Sequence, residues 1–206
     1  MIDLGCAGTI ALTSPAASKY NLNKVIADKV RYYTKYRGVG GESESYAFVA
    51  TSIDIGGYKL KHFEAEYSTD QSGSLSSAIN AGLLGNKILD RFDVMIDFKT
   101  PCLCIKPNDT FSNDFTFSKL GFSSVDRSKT LGAWVVSGFF EHSQAEKSGL
   151  RIDDKIIEID TIPVTRMDHR ARQVYLDAAD HLMLRVERGT ERLNIKIIQN
   201  RFLKDE

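Results

Sequence analysis

The residues best placed for chemistry near the start of the chain are one carboxylate and the glycines around it. The opening reads Met1-Ile2-Asp3-Leu4-Gly5-Cys6-Ala7-Gly8. An aspartate followed two residues later by glycine predicts a carboxylate on a tight turn, because glycine lets backbone amides approach and hydrogen-bond the charged form. Other constellations carry less. His142 adjoins Ser143, but neighbouring side chains diverge, and His62, His169 and His181 lack a metal-ligand spacing. Cys102 and Cys104 fall on one strand face with no histidine nearby, which gives no support for zinc. The glycines at Gly38, Gly40 and Gly41 come without a P-loop lysine or a strand-to-helix context. No metal and no cofactor is expected.

A second element gives the aspartate a context: Gly82-Leu83-Leu84-Gly85-Asn86, then a short helix and an alternating strand ending at Phe98. Together these segments resemble the retropepsin-like and pepsin-like aspartic proteases over residues 1 to about 107. The resemblance implies a β-barrel lobe with Asp3 as a catalytic carboxylate. It also implies that Leu4, Gly5, Leu83, Leu84 and Gly85 support the active-site loop, and that Gly38, Gly40 and Gly41 lie in a flap. In that chemistry two aspartates share one proton over a water that attacks a peptide carbonyl. This chain has one such turn, so the second acid is expected from a homodimer partner or a missing second lobe. Two departures stand out. Leu4 replaces the usual Thr or Ser, and the family's strands ahead of the aspartate are missing, as in a trimmed protease lobe.

The second half carries a longer signature, Trp134-Val135-Val136 and then Glu141 through Asp160, with Ala145, Gly149-Leu150 and Asp153-Asp154 at its centre. It resembles the PDZ domains of bacterial protease-associated proteins. Gln144, Ser148, Asp153 and Thr161 replace the pattern's Pro, Ala, Gly and Gly. Asp153 is a mild change, since aspartate tolerates left-handed backbone. The resemblance implies that a peptide ligand is added as a strand beneath a loop whose amides hold its terminal carboxylate. Lys119-Leu120-Gly121-Phe122 is the matching loop and Ser123-Ser124-Val125 the groove strand. A helix over Met167–Leu176, carrying Gln173 and Val174, is the facing wall.

These elements need a mostly β scaffold. Tyr46–Ile55 and Tyr58–Tyr67 alternate around Gly56-Gly57, and Leu182–Val186 and Leu193–Ile197 alternate around Arg188-Gly189-Thr190. Phe92, Val94, Ile96 and Phe98 share one face of a further strand. Turn-forming residues between Pro107 and Ser112 mark the boundary between an aspartic-protease lobe at 1–107 and a PDZ domain at 112–206. The expected fold class is mainly β, a barrel lobe followed by a PDZ-like sandwich with short helices.

With 42% hydrophobic and 26% charged residues the composition is that of a globular protein, not a disordered one. Lys plus Arg and Asp plus Glu are 27 each, so no charge excess points to nucleic acid or anionic lipid. The tyrosines among Lys29–Arg37 read as a solvated strand rather than a stacking platform for bases. Leu131–Phe140 is about half a membrane span, and no signal peptide precedes Asp3, though export remains open if a segment lies upstream. The expected function is an aspartic endopeptidase acting on a peptide or protein substrate and joined to a peptide-binding module. The alternative is an inactive peptide-binding or scaffold protein on the same two domains.

Overall fold

The computed structural model describes residues 1–35, 41–167, 175–176 and 179–203. Its strands run in chain order as β1 Ile10–Leu12, β2 Lys29–Thr34, β3 Ser43–Ile55, β4 Tyr58–Ser68, β5 Gly82–Leu84, β6 Phe92–Asp97 and β7 Cys102–Pro107. They continue as β8 Phe122–Arg127, β9 Ala133–Phe140, β10 Lys155–Ile159, β11 Ile162–Pro163, β12 His181–Arg188 and β13 Glu191–Ile198. The helices are short: α1 Ser14–Lys19, α2 Leu22–Val25, α3 Asn86–Leu89, α4 Ser128–Leu131 and α5 Gln144–Lys147. The class is mainly β. Among the described residues no helix is long and apolar enough to cross a membrane.

The chain divides into two compact units. One comprises Met1–Lys29, Ser45–Phe117 and the segment from Leu203; the other comprises Val30–Glu44 and Ser118–Phe202.

In the first unit Gly56 and Gly57, at φ 60° and 86°, make the two-residue turn that folds β3 onto β4 in antiparallel register from Ile55↔Tyr58 to Ser45↔Ser68. β1 then lies parallel to β4 and antiparallel to β5. His62, at φ 57°, interrupts the alternation of β4: Leu60 is buried before it, and Phe63, Ala65 and Tyr67 after it. The core gathers Leu60, Phe63, Ala65, Ile88 and Phe92. This order, β3-β4-β1-β5, is an open sheet, and no closed barrel forms among the described residues. β6 and β7 form a separate two-stranded ribbon. The shared apolar face read in Phe92–Phe98 is therefore not wholly buried: Phe92 is inside, but Phe98 is 87% exposed.

In the second unit β9 is central. β8 pairs along it from Phe122↔Phe139 to Arg127↔Ala133, β2 pairs with Phe140 to Gly138, and β10 with Val135 and Trp134. β10 continues to β12 and β12 to β13. Trp134, Val136, Ile156, Ile159, Leu182, Leu184, Val186 and Ile197 are at most 1% exposed and form the core. Asp154 is also buried, and Arg188 reaches it with two 2.7 Å bonds, Nε to Oδ1 and Nη2 to Oδ2.

Candidate functional site

Two places were expected to carry function, one in each unit. In the first, the Asp3 turn is laid against β5. Asp3 N–H donates to Leu84 O at 3.0 Å, Leu84 N–H donates to Met1 O at 2.8 Å, and Gly5 N–H donates to Asp3 Oδ1 at 2.9 Å. Asn86 Nδ2 donates to Leu4 O at 2.7 Å. Gly85 has to be glycine, since a Cβ there would stand 2.5 Å from Gly8 O and 2.9 Å from Cys6 Sγ. The structure thus brings Asp3, Leu4 and Gly5 together with Leu84 and Gly85, and Leu83 pairs with Ala11 on the same short strand. Of the flap glycines, Gly38 and Gly40 lie outside the described residues, while Gly41 sits at φ 80°.

Such a turn holds one half-buried carboxylate. Among the described residues its only hydrogen-bond donor is Gly5 N–H. Proton sharing over a water needs a second carboxylate at contact distance, and none partners Asp3 among those residues. Leu4, 62% exposed, supplies no hydroxyl to tie two such loops together. Nor do any three His, Cys, Asp or Glu side chains converge to hold a metal among the described residues.

In the second unit the loop Lys119-Leu120-Gly121-Phe122 enters β8. Gly121 has φ 72°, and its carbonyl accepts from Phe140 N–H and from Ser143 Oγ, both at 3.0 Å. A Cβ on Gly121 would meet Ser143 Cβ at 2.7 Å. Ser143 is fixed in turn as the N-cap of α5, accepting from Glu146 N–H at 3.2 Å, while Glu146 Oε2 accepts from His142 N–H at 2.6 Å. This is a variant of the reciprocal Ser-x-x-Glu cap. Glu146 Oε1 also accepts from Tyr33 Oη at 2.9 Å; burial, then this bond, push the Tyr33 hydroxyl up to about 12. Ser123 Oγ meets both Tyr32 Oη and Ser137 Oγ, at 2.7 and 2.9 Å. Phe122 is buried and Leu120 packs against the same core. Sequence reasoning missed the clamp by Ser143 and Glu146, although the Ser-x-x-Glu spacing was there to read. Gln173 and Val174 of the expected helical wall lie outside the described residues.

The architecture is that of a mainly β, two-unit protein with an edge strand fed by a glycine loop. No protein-family model matches the chain, and no curated protein matches it. Solved structures similar to it include a PDZ domain protein from Parabacteroides distasonis, 22% identical over 42% of this chain and 21% of that one, with TM-score 0.37. The HtrA-type protease AlgW with a decapeptide is 16% identical over 85% of this chain and 61% of that one, TM-score 0.36. The serine endoprotease from Yersinia pestis is 14% identical over 84% of this chain and 61% of that one, TM-score 0.37. The chain therefore spans about a fifth to three fifths of their lengths. A PDZ domain is among these neighbours, but a retropepsin-like lobe is not, and the proteases among them are of the serine type. The expectation of an aspartic endopeptidase is corrected on that finding. At these scores the serine-protease label stays with those proteins.

Proposed function

We propose that the second unit is a PDZ-type module that binds the C-terminal end of an extended peptide along β8. Residues 118–202 are its main body and β2 its added strand; the boundary drawn from sequence, 112–206, contains that body but not β2. One observation carries the reading. Gly121, held from behind by Ser143 and Phe140, feeds directly into β8, which pairs with β9 and with no other strand among the described residues. Such an edge accepts an added strand through main-chain hydrogen bonds. The amides of Leu120, Gly121 and Phe122 are the donors this reading assigns to the carboxylate, with Ser123 beginning the strand that lies beside the peptide. Glycine matters here because its left-handed turn and lack of Cβ let the loop close on Ser143.

The test is fluorescence anisotropy with peptides drawn from a library of random C-termini, each made with a free and an amidated end. Hydrogen bonds to a charged group contribute about 1.5–3 kcal/mol, so amidation should weaken binding roughly tenfold or more. Gly121→Ala should remove binding while Trp134 emission, which reports the core of this unit, stays native. Equal affinity for free and amidated ends, or no binding anywhere in the library, sinks the proposal.

A further inference from the structure

The β6–β7 ribbon has a chemistry that neither the peptide groove nor the Asp3 turn uses. Its register sets Met95 opposite Cys104, Asp97 opposite Cys102 and Asp93 opposite Lys106, so these side chains share one face. Along β7 the other face, Leu103, Ile105 and Pro107, is half-buried, with Ile105 packed on the first unit's core, while Cys102, Cys104 and Lys106 are exposed. Met95 is 63% exposed on the same outward side. Two thiols and a thioether therefore stand on adjacent positions of a paired, anchored ribbon. Both cysteines are free.

We propose that Cys102, Cys104 and Met95 form a three-sulfur site for a soft, low-coordinate cation of the Cu(I) class. Thiolate and thioether donors select such ions, whereas zinc prefers four ligands and favours added imidazole or carboxylate. Two carboxylates share this face: Asp97 Oδ1 accepts from Lys99 N–H at 2.8 Å and Thr100 N–H at 3.3 Å in the turn joining the strands, and Asp93 stands opposite Lys106. The three sulfurs are the soft donors of this face, and a soft cation selects them over the hard carboxylate oxygens. Binding replaces both thiol protons with one cation, releases two protons and leaves the centre one negative charge. The metal keeps its oxidation state, so no electron acceptor or donor is involved. The ribbon shape suits the geometry: Met95 and Cys104 are direct cross-strand neighbours, and Cys102 lies two residues along the same face.

The experiment titrates the reduced full chain with Cu(I) under anaerobic conditions against a chromophoric Cu(I) chelator, with native mass spectrometry for stoichiometry. One ion per chain is expected. The Cys102→Ser/Cys104→Ser variant should lose it, and Cys6→Ser should keep it. Loss of even an outer partner of a metal ligand costs about 10–100-fold in affinity, so Met95→Leu should weaken binding by at least about tenfold. All these ribbon positions are exposed, and far-ultraviolet circular dichroism verifies that the variants fold. Retention of the ion by the double variant, its loss in Cys6→Ser, equal uptake of Zn(II), or a Met95→Leu affinity matching the parent overturns the three-sulfur site.

Discussion

Removing Arg188 should destabilise the second unit more than removing its partner Asp154, and the structure sets the size of the difference. Asp154, immediately before β10, is 1% exposed and accepts three bonds: Arg188 Nε and Nη2, each at 2.7 Å, and Arg151 N–H at 2.8 Å. Arg188→Ala strips two charge-assisted bonds and leaves a buried carboxylate with one amide for compensation. Breaking a buried pair from one side costs about 3–5 kcal/mol. It also frees Gly149 O, to which Arg188 Nη2 donates at 2.7 Å. Asp154→Ala leaves a guanidinium whose side chain is 25% exposed and can turn towards water, plus one orphaned amide, for about 2–3 kcal/mol. Because the guanidinium holds its proton more tightly through the Asp154 bond, it stays charged throughout the useful pH range. Trp134, the chain's single tryptophan and 1% exposed, gives a local probe during urea unfolding. With an m value of about 2 kcal/mol per M, a 4 kcal/mol loss moves the midpoint by about 2 M. The double variant should be less damaged than the sum of the singles, giving a large coupling in the cycle. If Arg188→Ala shifts the midpoint less than Asp154→Ala, or if the two losses simply add, the desolvation argument fails.

Thr161 occupies φ 73° beside Asp160 at φ 46°, in the two-residue turn between β10 and β11. A β-branched residue is strained there, so Thr161→Gly should raise stability by about 1 kcal/mol in the same urea assay, and a loss would refute the strain. Tyr33 and Tyr67 both have hydroxyls pushed up to about 12: Tyr33 by burial and then Glu146, Tyr67 by burial and then Tyr46. A tyrosine titrates near 10 when unfolded, so the native advantage is complete below about pH 10 and is lost as pH rises towards 12. Tyr33→Phe and Tyr67→Phe should each flatten that alkaline decline, and tyrosinate absorbance appearing wholly near pH 10 in the native protein would contradict it.

Strand pairing was legible wherever alternation and turn chemistry agreed, as in β3–β4 at Gly56-Gly57 and β12–β13 at Gly189. The left-handed positions Asp153 and Thr161 were legible too, because they stand where the resemblance expected glycine. The openness of the first unit's sheet was not, since closure depends on which strands meet at long range and not on their individual patterns. The Asp3 turn shows the limit at a site. The turn lies against Leu84 and Gly85, but a short motif constrains one loop and does not supply the second acid that a dyad needs. The packing of β2 on β9 left no local trace at all.

That pairing has a consequence for biosynthesis. Thr34 Oγ1 donates to Ser137 O, 103 residues later in the chain, and β2 docks along the same stretch of β9. A ribosome releases the tyrosine-bearing strand long before its acceptor exists, so the nascent segment has to wait unmated, and late closure of so long a loop slows folding. For the same reason a recombinant fragment cut at residue 112 would lack this neighbour and leave Phe139 and Phe140 beside a bare strand edge.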